Sequence, residues 1–79
     1  MNKARRKKIN ETAKRIDFFV SSIKSEVENI LADEEFAYDS MPENLQYSMR
    51  GMNSEEAIDL LNETLEKLDE VTDLLSSII

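Results

Sequence analysis

The chain contains neither cysteine nor histidine. Without thiols it holds no disulfide, and its redox compartment cannot be read from cysteine usage. Without either residue the common zinc sites are excluded, as are the Glu-x-x-His pairs that build diiron centres in helical bundles. The same two absences remove the usual general base and the strongest side-chain nucleophile. Gly51 and Pro42 are the single glycine and the single proline. No glycine-rich loop is therefore present to cradle phosphate, and helix breakers are confined to the middle third. No apolar run approaches the ~20 residues that cross a bilayer, and the basic start lacks the apolar stretch of a secretory signal. Together these absences predict a soluble, cytoplasmic, non-enzymatic chain with no catalytic residue, no metal and no cofactor.

What is present points to helices. Of the 79 residues, 41% are hydrophobic and 34% charged, too apolar for disorder and suited to solvated helix faces. A single core of this size supplies only ~3–5 kcal/mol unless something staples it. With disulfides and zinc gone, self-association is the staple that remains. Charge is uneven: residues 1–15 hold seven of the ten bases and only Glu11 against them, a net +6. Residues 16–79 carry −13, which makes up the overall −7. Such asymmetry between segments points to a partner.

Helix one is expected over 3–38. Ile9, Ala13, Ile16, Val20, Ile23, Val27 and Ile30 recur every four and three residues, a 3.5-residue repeat that holds one seam against a neighbouring helix. Helix two is expected over 53–79, with Asn53 as N-cap and Glu56 three residues on, as in a capping box. Ile58, Leu61, Leu65, Leu68, Leu75 and Ile79 keep the same repeat, interrupted by Thr72. A second stripe, Ala57, Leu60, Val71, Leu74 and Ile78, lies on the adjoining flank. One neighbour cannot cover both stripes, so at least two packing partners are implied.

Between them, residues 39–52 form a joint. Ser40-Met41-Pro42-Glu43 reads as the N-cap and first turn of a short helix over 42–48, and Arg50-Gly51 as its end, with the glycine in a left-handed C-cap. The expected fold is all-α: one domain, an antiparallel helical hairpin with a short helical or irregular joint, dimerising into a four-helix bundle. At 1.5 Å per residue, helix one would outrun helix two by about ten residues. That overhang is the basic arm, residues 1–12.

Three sets of residues are candidates for function. The arm bases Lys3, Arg5, Arg6, Lys7 and Lys8 could pair with Glu66, Asp69, Glu70 and Asp73 within the chain or across subunits. They could instead meet an acidic protein surface or, less favoured, nucleic-acid phosphates. The rest of the chain would repel such a polymer, and no aromatic is interleaved to stack a base. A membrane surface fits worse, because Glu11 and Asp17 break the basic face. Phe18 and Phe19 are adjacent and cannot share one seam; each is either covered by a second subunit or an anchor for a partner. The joint is apolar for a connection, with Phe36, Tyr38, Met41, Leu45, Tyr47, Met49 and Met52. That set either closes the end of a bundle or forms an adaptable binding surface, with Tyr38, Met41, Leu45 and Tyr47 as its candidates. Glu55-Glu56 and Glu66-x-x-Asp69 are similar to the carboxylate motifs of all-helical nucleotide pyrophosphatases, which bind magnesium. Asp59, Glu63, Glu66, Glu70 and Asp73 nonetheless point away from the seam and read as a solvated face.

The segment Asp39-Ser-Met-Pro-Glu-Asn-Leu-Gln, with Ser48, Arg50-Gly51 and Glu55-Glu56-Ala57-Ile58-Asp59, resembles small helical proteins encoded by phages and prophages of Gram-positive bacteria. The resemblance covers about the second half of the chain and brings no activity or site residue with it. It implies a compact accessory or host-modulating protein in a bacterial cytoplasm, an analogy at the level of family. The expected function is stoichiometric protein binding by a homodimer or higher homo-oligomer. The alternatives are a nucleic-acid-binding accessory protein using the arm and a bundle that sequesters a small molecule near Tyr38 and Tyr47.

Overall fold

A computed structural model describes residues 2–78 and contains three helices and, among those residues, no strand: α1 (Lys3–Asp39), α2 (Glu43–Gln46) and α3 (Met49–Ser76). Met1 of the expected arm and Ile79 of the expected seam lie outside the described residues. The all-α class is observed, and the two long helices pack against each other.

α1 begins where Asn2, in extended conformation, turns its side-chain carbonyl onto the chain. Arg5 N–H donates to Asn2 Oδ1 at 2.8 Å, satisfying one of the unpaired donors of the first turn. It ends because Pro42 lies ahead: proline offers no N–H, and its ring disfavours helical geometry in the residue before it. Ser40 N–H closes the last turn onto the Phe36 carbonyl at 3.0 Å. Ser40 is thus the C-cap of α1, not the N-cap expected for the short helix; Pro42 occupies that position instead. α2 is a single turn, held by Leu45 N–H on the Pro42 carbonyl at 2.9 Å. Gln46 then reaches back. Its side-chain amide donates to the carbonyls of Tyr38 at 3.1 Å and Met41 at 3.4 Å, capping the end of α1 from outside.

Helix two starts at Met49 rather than Asn53. Ser48 holds the extended N-cap position, and Met52 N–H donates to its carbonyl at 2.9 Å. Asn53 and Glu56 are therefore interior helix residues, and the capping-box reading fails. Gly51 does not end a helix either. It lies in the first turn of α3 with a negative φ, and it is buried. Its lack of a side chain serves close approach: an added Cβ would run into the Gln46 carbonyl and stand 2.6 Å from Gln46 Cα. The turn at 49–52 is helical because it rests on α2, a tertiary gain that outweighs the local cap signal.

The seam of α1 departs from the expected repeat. The partly or fully covered positions run Ile9, Ala13, Ile16, Val20, Lys24, Val27, Leu31, Glu34 and Tyr38. Ile23 and Ile30, expected on the seam, are 43% and 55% exposed. From Ile9 to Tyr38 the seam takes eight steps over 29 residues, the ~3.6 residues per turn of a straight helix. A strict 3.5 repeat drifts by about 20° per heptad on such a helix, so the covered positions move on by one residue midway. In α3 the covered positions Gly51, Ser54, Ile58, Leu61, Leu65, Leu68, Thr72 and Leu75 keep the shorter repeat, with Ala57 half-buried beside Ile58.

The result is a thin core. Leu31 is the one buried hydrophobic side chain among the described residues. Polar ties fasten the joint end: Ser54, itself buried, donates to Glu34 at 2.6 Å, and the Tyr38 hydroxyl donates to Glu55. Further along, Lys24 pairs with Asp69 at 2.8 Å. Positions late in α1 meet positions early in α3, so the helices run in opposed chain order. The molecule is long, with extents of 61 × 17 × 12 Å.

Candidate interaction surfaces

The Lys24–Asp69 and Tyr38–Glu55 pairs share one register, in which each step forward along α3 matches one step back along α1. The Ser54–Glu34 pair is displaced from it by five residues, so Ser76, the last residue of α3, lies level with a point between Thr12 and Asp17. The first turns of α1 therefore extend beyond the end of α3, and they carry Lys3, Arg5, Arg6, Lys7 and Lys8, all helical and all exposed. The expected intramolecular pairing of this arm is not made. Among the described residues the ion pairs are Lys24–Asp69 and Lys67–Glu70, so Asp69 and Glu70 are engaged elsewhere. Distance is the physical reason, because the arm projects past the carboxylates it was expected to meet.

Helix geometry sorts the remaining surface. In a right-handed helix the residue before a seam position lies about 100° to one side of it. For two helices packed in opposed order, those preceding residues fall on the same face of the pair. On α1 they include Phe19, Ile23 and Ile30 beside Lys8, Arg15, Glu26 and Asp33; on α3 they include Leu60, Val71 and Leu74 beside Thr64 and Lys67, with Ile78 one turn beyond Leu74. All seven of these large apolar side chains are exposed. The residues following seam positions line the opposite face: Ser21, Ser25, Glu28 and Glu35 on α1, and Glu55, Asp59, Asn62, Glu66, Asp69 and Asp73 on α3. The pair is thus a layer with an acidic side and an opposite side on which the large exposed apolar side chains stand among charged ones. A shallow groove of about 450 Å³ along α3 is lined by Leu60, Glu63, Thr64, Lys67, Leu68 and Val71.

The candidate residues do not gather in one place. Phe18 and Phe19 meet edge to face, with ring centroids 6.1 Å apart. Phe19 belongs to the apolar face, while Phe18, 74% exposed, points out from the back of α1. About 30 Å further along the helix, Tyr38 and Met41 are half-buried, Leu45 is marginally exposed and Tyr47 is 78% exposed. The Tyr38 hydroxyl is committed to Glu55, and its pKa is raised, first by that hydrogen bond and then by burial and the Glu55 charge. Phe36, Met49 and Met52 are also exposed, so within one chain the apolar side chains of the joint do not close its end. Ile23 and Ile30 were missed as surface residues because their spacing matched the seam. Asp59, Glu63, Glu66, Glu70 and Asp73 are exposed. No protein-family model, no curated protein and no solved structure matches this chain.

Proposed function

We propose that this chain is a non-enzymatic interaction module, a helical hairpin that dimerises through its apolar face into a four-helix bundle and acts by stoichiometric binding of a protein. The observation that carries the reading is the two-sided layer. A soluble protein of 9.1 kDa is expected to expose about 4,900 Å², whereas this chain exposes 6262 Å². The excess of roughly 1,400 Å² exceeds the ~800 Å² that each partner contributes to a standard interface. Phe19, Ile23, Ile30, Leu60, Val71 and Leu74 bring much of the exposed apolar surface to one side, which favours one flat partner of the same kind. A second copy meets the requirement without any further molecule.

Phe18 points out from the back of α1, away from this face, and stays accessible in such a dimer, where an exposed aromatic suits the anchoring of a partner. The resemblance to small phage proteins favours an accessory or host-modulating role for that contact, by analogy. Sedimentation at micromolar concentration tests the dimer: a species of twice the 9.1 kDa chain mass is expected, and Ile30→Glu with Leu74→Glu should return it to a single chain. A wild-type protein that sediments as one compact chain throughout would overturn the reading. A photo-crosslinker placed at Phe18 should form a discrete one-to-one adduct in bacterial cells; adducts only from the acidic face would move the partner site there.

A further inference from the structure

Burial of the apolar face is indifferent to direction. Two layers can meet on it with their joints at the same end or at opposite ends, and the same side chains are covered either way. The charge along the long axis is not indifferent. At one end residues 3–15, the arm and the turn that follows it, carry +6, and their charged side chains are exposed. At the other end, between Asp33 and Asp59, eight acids face a single base, Arg50, for a net −7. All of these acids are exposed except Glu34, which is half-buried. The chain is a rod 61 Å long with opposite charges at its ends.

We propose that the second copy packs head to tail, its acidic joint end lying against the basic arm of the first, so that each dimer makes this contact twice. The proposal rests on the dimer reading above and adds its orientation. Joining the joints at the same end would set +6 beside +6 and −7 beside −7, within a Debye length of about 8 Å or little more. Head-to-tail packing replaces both repulsions by attraction. It also gives the arm a use: among the described residues its bases find no carboxylate partner in their own chain, and the partner's joint supplies one. An occupant of another kind would need an acidic patch of this extent, and the chain supplies one itself.

The absence of native cysteine makes the test direct. A single nitroxide at Asn44→Cys, an exposed position in α2, reports the separation of the two joints in the dimer by pulsed dipolar spectroscopy. Head-to-tail packing sets the labels apart by most of the 61 Å axis. Same-end packing sets them within about 25 Å, the ~10 Å spacing of packed helices plus the label linkers. A second label at Lys7→Cys must likewise show a long distance. Short distances would overturn the orientation while leaving the dimer intact; an absent dipolar signal with single-chain sedimentation would overturn the dimer reading itself. Mixing supplies the positive control of mechanism. Reversing Arg5, Arg6, Lys7 and Lys8 to Glu should weaken self-association at least tenfold, and a partner with Asp39, Glu43, Glu56 and Asp59 changed to Lys should restore a heterodimer. No restoration would overturn the charge contact.

Discussion

At Gly51 two opposing effects of one methyl group can be weighed. Alanine in a helix is favoured over glycine by about 1 kcal/mol. Here the added carbon would enter the Gln46 backbone, which cannot yield without lifting α2 off α3; overpacking of this kind costs roughly 1–3 kcal/mol. The clash wins, so Gly51→Ala should lower the urea midpoint, and a midpoint that rises would refute the close approach. The sequence showed a glycine beside a break and suggested a left-handed cap; only the neighbouring backbone reveals that its smallness is used. Tyr38 offers a second test. Its pKa is raised from 10.0, chiefly by the hydrogen bond to Glu55, so the folded state holds the protonated phenol more tightly than the unfolded chain does. That contribution is complete below pH 10.0 and is lost as pH rises through the higher folded value. Lys24, raised from 10.5 chiefly by its hydrogen bond to Asp69, acts in the same direction, although its exposure keeps the effect small. In a Tyr47→Phe background, phenolate absorbance should appear at higher pH in the folded protein than in urea, and the helix pair should loosen over the same range. Coincident titrations would show that the Tyr38–Glu55 contact does not form in solution.

At the scale of the element, helix was legible because nothing between Lys3 and Asp39 breaks it and its apolar period is helical. Which residues face α3 was only partly legible. Ile23 and Ile30 satisfied a 3.5 repeat, yet a straight helix turns at 3.6 and brings Lys24 and Leu31 round instead. A lysine can occupy that position because its stem lies along the seam while its ammonium reaches Asp69. The start of α3 was misread for a related reason: Asn53 has the chemistry of a cap, but the preceding turn gains more from resting on α2. Leu31→Ala should therefore cost about 2 kcal/mol, the low end for a buried leucine because its surroundings are thin. In a mixed-isotope dimer, Leu31 methyls should show proximity to α3 of their own chain, and Ile30 methyls to the other chain. Contacts from Ile30 to its own α3 would restore the shorter repeat.

For the whole molecule, the sequence announced a surplus of apolar stripes but could not place them; the opposed order of the helices gathers them on one side. A chain of 79 residues folded compactly would have a radius of gyration of about 12 Å, against 18.1 Å here. So elongated a pair, with one buried hydrophobic side chain among its described residues, has little of the apolar burial that offsets chain entropy. Folding should then be coupled to association, and coupling has a quantitative signature. At ~0.7 kcal/mol per residue, unfolding two chains absorbs about 110 kcal/mol. By mass action a hundredfold dilution should then lower Tm by about 9 °C. A Tm independent of concentration over that range would mean that the single layer is stable alone, and the apolar face would need an occupant other than a second copy.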